Sequence, residues 1–168
     1  GELYIAGAVL SHTQINMVTG DSTEGLDLDW SGWLETVDGS IVFDMGTDGE
    51  LKGTLVANGV GSDVILTADE TLTINGHIRA EGNIELYAGV DATGVAIAGT
   101  AIDPSQTSML INPTAWLLTT GGAGNSQIIV EGLNHVELNG PIGSQRDPDF
   151  EEAGAISIES HEQDILIT

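Results

Sequence analysis

The sequence predicts an all-β chain wound as a right-handed parallel β-helix, with about seven or eight coils of roughly 21–23 residues. Three observations carry this: a degenerate internal repeat, short alternating strands bounded by turn residues, and an aliphatic, glycine-rich composition that lacks helical periodicity. An antiparallel β-sandwich is the alternative, because strands divided by Asn-Gly also read as hairpins.

The repeat is the strongest of the three. Ser62-Asp-Val-Ile-Leu-Thr-Ala-Asp-Glu-Thr-Leu-Thr-Ile-Asn-Gly-His-Ile78 returns 64 residues later as Ser126-Gln-Ile-Ile-Val-Glu-Gly-Leu-Asn-His-Val-Glu-Leu-Asn-Gly-Pro-Ile142. Ser, Ile, Asn-Gly and Ile recur as identities, while Val64, Leu66, Leu72 and Ile74 exchange with Ile128, Val130, Val136 and Leu138. Keeping an apolar slot while changing its side chain is what a buried stripe requires. A shorter echo aligns Gly53-Thr-Leu-Val-Ala-Asn-Gly59 with Gly76-His-Ile-Arg-Ala-Glu-Gly82 at an offset of 23. Three coils of about 21 to 22 residues would account for the longer offset.

In chain order, Leu26-Asp-Leu-Asp-Trp30 opens the alternation, followed by Leu72-Thr-Ile, Ile84-Glu-Leu, Val95-Ala-Ile, Val136-Glu-Leu and Ile156-Ser-Ile. Each is flanked by Gly, Asn, Asp or Ser, as strands are. No run of a dozen residues places apolar side chains at i, i+3, i+4 and i+7. Two segments interrupt the rhythm, Asp103-Pro-Ser-Gln-Thr-Ser108 and Gly143-Ser-Gln-Arg-Asp-Pro-Asp-Phe-Glu-Glu-Ala-Gly154. Insertions of this kind project from one face of a solenoid and either carry binding or act as slack turns.

With 168 residues, 40% of them hydrophobic, the chain has enough apolar matter for one continuous core. Only 7 side chains are aromatic, so the interior must be thin layers of Ile, Leu, Val and Ala. The 23 glycines fall between apolar pairs, where turns are expected to need positive φ. Residues 1–168 therefore read as one solenoid segment. Starting at Gly1 and stopping within Ile165-Leu-Ile-Thr168, it is expected to be a fragment of a longer repetitive chain.

Twenty-six acids against Lys52, Arg79 and Arg146 give a net charge of −23. Such a surface repels phosphate backbones and anionic headgroups, which disfavours nucleic acid and ordinary membrane partners. Outward acids keep a strand-rich surface soluble, and they also suit divalent cations or a saline setting. No cysteine offers a disulfide or thiolate site, and no apolar run is long enough to span a membrane.

The stretch Leu72-Thr-Ile-Asn-Gly-His-Ile-Arg-Ala-Glu-Gly-Asn-Ile-Glu-Leu-Tyr-Ala-Gly89 is similar to the recurring phrases of large bacterial exoproteins of the filamentous-haemagglutinin type. The resemblance covers residues 40–102 and 126–142, and 1–39 poorly. It implies an extracellular or cell-surface protein whose coils act as a rigid stalk, fibre or adhesive surface, with neighbouring coils, further copies or host and cell-surface glycans as partners. It brings no shared catalytic residues.

Candidate sites read as follows. Gly121-Gly-Ala-Gly-Asn-Ser-Gln-Ile-Ile129 resembles a single calcium-binding nonapeptide with Ser126 at the ligand position, so calcium is a possible cofactor and a turn is the plainer reading. Asp27 and Asp29 share one face of a strand and could hold a cation, though alternation alone accounts for them. His12, His77, His135 and His161 stand without a nucleophile elbow or zinc-type pair. Thr71-Leu-Thr73 is too isolated for a threonine array. Trp30, Trp33 and Trp116 could stack on sugar rings. The Asp-Asp and Gly-His-Gly motifs of β-helical polysaccharide hydrolases are absent, so no residue is given a catalytic, cofactor or metal role. A carbohydrate-binding or polysaccharide-degrading module is the alternative to the structural reading.

Overall fold

A computed structural model describes residues 3–18, 26–28, 32–98, 103–121, 126–144 and 154–168. Short strands and turns alternate along them, without a helix among the described residues. Among the described residues nineteen strands form three sheets, in which successive coils stack strand on strand.

The first sheet contains β1 (Leu3–Ile5), β4 (Leu26–Leu28), β7 (Asp48–Leu51), β10 (Thr71–Ile74), β13 (Thr107–Ile111), β16 (His135–Leu138) and β19 (Ile165–Ile167). The second contains β2 (Ala8–Ser11), β5 (Trp33–Thr36), β8 (Thr54–Ala57), β11 (His77–Ala80), β14 (Trp116–Thr119) and β17 (Ile142–Ser144). The third contains β3 (Ile15–Val18), β6 (Ile41–Asp44), β9 (Val64–Ala68), β12 (Ile84–Ala88), β15 (Gln127–Gly132) and β18 (Ala155–Ser160). Each strand pairs with the strand three places on, always in parallel. The sandwich alternative is thereby displaced: the antiparallel pairing among the described residues is the isolated Val90–Ala96 bridge.

The first sheet counts seven levels, the lower end of the expected range, and β19 is the described strand of the seventh. At about 4.8 Å per level the stack is roughly 30 Å long. The short echo is one coil: Thr54, Leu55, Val56 and Ala57 sit directly against His77, Ile78, Arg79 and Ala80. The offset of 64 proves to be two coils rather than three. Val64 pairs with Ile84 and Ile84 with Ile128, while Leu72 pairs with Met109 and Met109 with Val136. The fourth coil is enlarged by an excursion after Ala88, so two unequal coils mimic three equal ones. Val95-Ala-Ile, expected as a strand, lies in that excursion.

Period-two alternation sends one set of side chains inward at every level. Leu34, Leu55, Ile78 and Leu117 form one buried column, Phe43, Leu66, Leu86 and Val130 another, and Leu51, Ile74, Ile111 and Leu138 a third. Gly49 interrupts a fourth column, and the Met45 side chain occupies the space a Cβ there would need.

Polar ladders hold the corners. Before the third sheet, Ser40 Oγ accepts from the Asp63 amide at 2.9 Å, Asp63 Oδ1 from the Asn83 amide at 2.6 Å, and Asn83 Oδ1 from the Gln127 amide at 3.0 Å. After the first sheet, Asn75 donates to Glu50 Oε1 at 2.7 Å and Asn112 donates to Asn75 Oδ1. Each bond joins neighbouring coils, so the repeated asparagines are explained by stacking.

The corner glycines correct the expectation of positive φ. Gly76 and Gly140 have ordinary φ, but a Cβ on either would strike the carbonyl oxygens of the coil beneath, Gly53 for the first and Asn112 for the second. Positive φ is confined among described glycines to Gly46, Gly59, Gly61, Gly89 and Gly94. Close approach of backbones selects the repeated glycine of Asn-Gly.

Candidate functional site

Inward side chains satisfy the core, so chemistry is left to the outward columns. These differ sharply between sheets. Strands of the first sheet carry Asp48, Glu50 and Glu137, and those of the third carry Asp44, Glu85, Glu131 and Glu159. Strands of the second carry Glu35 alone.

That acid-poor second sheet also gathers rings. Pairing of β5, β8, β11 and β14 puts Trp33, Thr54, His77 and Trp116 in a single outward column. Trp33 is 44% exposed and donates from Nε1 to Glu35 Oε2 at 3.1 Å. Glu35 Oε1 accepts in turn from Asn58 Nδ2 at 2.8 Å, which ties the acid down. His77 and Trp116 stack with centroids 4.9 Å apart and planes 21° from parallel. This spacing matches one coil, so the rings lie across the stack and Trp116 turns its other face toward β17. There a hollow of about 270 Å³ is lined by Trp116, Leu117, Leu118, Pro141, Ile142 and Gly143. It exists because Gly143 pairs with Leu118 in the next outward column and offers no side chain. Arg79 precedes Leu118 in that column.

A second polar cluster lies on the third sheet, where Tyr87 pairs with Glu131 and Glu131 with Glu159. Tyr87 is buried and donates to Glu85 Oε2 at 3.1 Å. Burial, then the charge and hydrogen bond of Glu85 and the charge of Glu131, raise its phenol far above the ordinary range, so it stays neutral. His161 Nε2 lies 3.2 Å from Glu131 Oε2 and Nδ1 3.8 Å from Glu159 Oε1. The excursion from the fourth coil closes over this group: a Cβ on Gly94 would lie 2.9 Å from the imidazole. Asp91 caps the excursion, its Oδ1 accepting from Thr93 N and Oγ1 and from Val95 N at 2.8, 2.6 and 3.1 Å. The Thr93 hydroxyl and amide, then the Val95 amide, lower its pKa. The cluster is a clamp across three coils. Of its members only His161 was singled out in sequence; for Tyr87, Glu85, Glu131 and Glu159 the signal was their shared outward phase on third-sheet strands.

The other sequence candidates are dispersed. His12 follows β2, and His135 begins β16 beside Thr107. Thr71 and Thr73 meet Asp48 and Glu50 on one side, and Thr73 meets Leu110 on the other, so no threonine array forms. Asp27 pairs with Tyr4 and Glu50 in the backbone register. Trp30 and Asp29 lie outside the described residues, as do 122–125 of the calcium-like nonapeptide and 145–153 of the long insertion. Ser126 is buried beneath Gly154. Among the described residues, no group of three or more His, Asp or Glu is placed to hold a metal. The Asp103 insertion is a capped turn: its Oδ1 accepts from Ser105 N and Oγ at 2.9 and 2.7 Å, and its carbonyl accepts from the buried Asn134 at 3.1 Å.

No protein-family model, curated protein or solved structure matches the chain.

Proposed function

We propose that this chain is a structural and adhesive segment of a large secreted or cell-surface protein, in which the coils give stiffness and the outward columns give contact. The filamentous-haemagglutinin resemblance points the same way. The supporting observation is the set of apolar columns running from level to level, with Leu34, Leu55, Ile78 and Leu117 each fully or almost fully buried. Parallel pairing at every level makes bending cost hydrogen bonds in all three sheets at once. Its partners are further coils, other copies or surface glycans, and it performs no catalysis. At the two ends of the described stack the core-phase residues Val9, Ile156 and Ile165 are 37%, 46% and 43% exposed, apolar surface that another copy could cover.

Two copies joined head to tail test this reading. Small-angle scattering should give a single rod of about doubled length, melting above the single copy because one pair of end coils is covered. Two independently tumbling bodies with an unchanged melting temperature would refute it.

A further inference from the structure

We propose that the hollow between Trp116 and Pro141, on the outer face of the second sheet, holds one ring of a neutral glycan. The proposal rests on the adhesive reading and names the contact within it.

The indole supplies a flat apolar wall, fixed from behind by its stack on His77 at 4.9 Å. Sugar rings present an apolar C–H face that packs on such a wall, and a wall already held in place loses little freedom when it binds. Pro141 borders the opening, and the missing side chain of Gly143 leaves the floor clear. At about 270 Å³ the hollow is slightly smaller than a drug-sized pocket, which suits one ring of a longer chain.

Charge selects the class of sugar. With a net charge of −23 the protein repels uronates and sulfated glycans at long range. A cationic ligand would gain from that field, yet the second sheet concentrates few acids and carries Arg79 two residues from His77. Arg79 and Lys52 are two of only three Lys and Arg side chains in the chain, so a guanidinium beside the ring column is a pronounced local departure. Arg79 stands outside the hollow, with Leu118 between it and Gly143 in the column, so it sets the local charge and not a contact. A neutral ring with an apolar C–H face meets both conditions, the flat indole wall and a field that disfavours anions.

The test uses the intact chain with three neutral probes, cello-, malto- and chito-oligosaccharides, and choline as a cationic probe. Binding is read by tryptophan fluorescence and by saturation-transfer NMR. At least one oligosaccharide should bind saturably, and Trp116→Ala should weaken it by about tenfold or more. Gly143→Val is the second variant. A Cβ at Gly143 meets nothing within 4 Å, so it should fold with an unchanged circular dichroism melt, fill the hollow and abolish binding. Trp33→Phe, on β5, should bind as the parent does. The proposal is overturned by absence of binding to all three oligosaccharides, by binding that survives Gly143→Val, or by choline binding in preference to the sugars. None of these outcomes alters the head-to-tail scattering result, so the two readings fail separately.

Discussion

Gly76→Ala should be among the most damaging methyl additions in the chain, because stacking and not torsion selects that glycine. A Cβ there would overlap the Gly53 carbonyl oxygen and stand 2.8 Å from the Lys52 carbonyl carbon. Both atoms are backbone, so no side chain can swing aside. Relief requires the fourth coil to lift from the third, which strains the bonds Gly76 N to Leu51 O and His77 N to Gly53 O, each 2.9 Å. Overpacking costs about 1–3 kcal/mol and a weakened hydrogen bond about 1 kcal/mol. Loss of glycine entropy in the unfolded chain returns about 0.4–1 kcal/mol, leaving a net loss of about 1–3.6 kcal/mol. For a chain of this size that lowers the melting midpoint by roughly 2–14 °C. Circular dichroism melts of three variants settle the matter. Gly7→Ala, with nothing within 4 Å and ordinary φ, should melt at or slightly above the parent. Gly61→Ala, in open space but at φ +75°, should lose only the torsional cost of about 1–2 kcal/mol. If Gly76→Ala melts within a degree or two of Gly7→Ala, the close-approach account is wrong.

Thr119 is buried and its hydroxyl has no partner among the described residues, so Thr119→Val should raise stability by about 1 kcal/mol, whereas Thr36→Val, which removes a donor to the Gly39 carbonyl, should lower it in the same urea titration. Net charge predicts that sodium chloride between about 10 and 500 mM raises the melting temperature by screening self-repulsion; a flat response would show that the acids are already neutralised. Calcium chloride at equal ionic strength should act as sodium chloride does, and a larger rise would place a cation among the acids. Asp91 and Asp103 have lowered pKa values in the folded chain, so their contribution is full above the unfolded aspartate pKa and is lost as pH falls through the folded value. Exchange protection factors at Thr93, Val95 and Ser105 should therefore fall in acid before the coils melt, and Asp91→Ala should produce the same loss of protection at neutral pH for Thr93 and Val95.

The buried columns were legible because alternation is a local property that survives substitution. Leu72, Ile74, Val136 and Leu138 announce their phase without any knowledge of partners, and the Gly53 and Gly76 echo even gives the register of one coil. Coil count was less legible, since the excursion after Ala88 adds residues that a periodicity cannot see, and 64 divides plausibly by three. The corner glycines were located correctly and explained wrongly. Sequence shows that Asn-Gly turns a corner, but only the position of the Gly53 carbonyl shows why the glycine there has no Cβ. The ring column was invisible: Trp33 and Trp116 are 83 residues apart, and the coils between them differ in length.

A parallel coil separates two kinds of constraint that a globular fold mixes. Inward columns must stay aliphatic from level to level, since a mismatch at Leu66 or Leu86 opens a gap toward both neighbouring coils. Outward columns answer only to solvent and to the residues directly above and below. Scattered acids would serve solubility alone, and the first and third sheets each carry several. The second sheet departs from them in three ways together, with one acid already committed to Trp33 and Asn58, two tryptophans and a histidine in one column, and a cation in the next. Solubility in so acidic a chain explains why one face can forgo charge, but not why the rings gather there. Contact explains both, because a face that meets a neutral partner must shed water cheaply and still offer flat surfaces to bind.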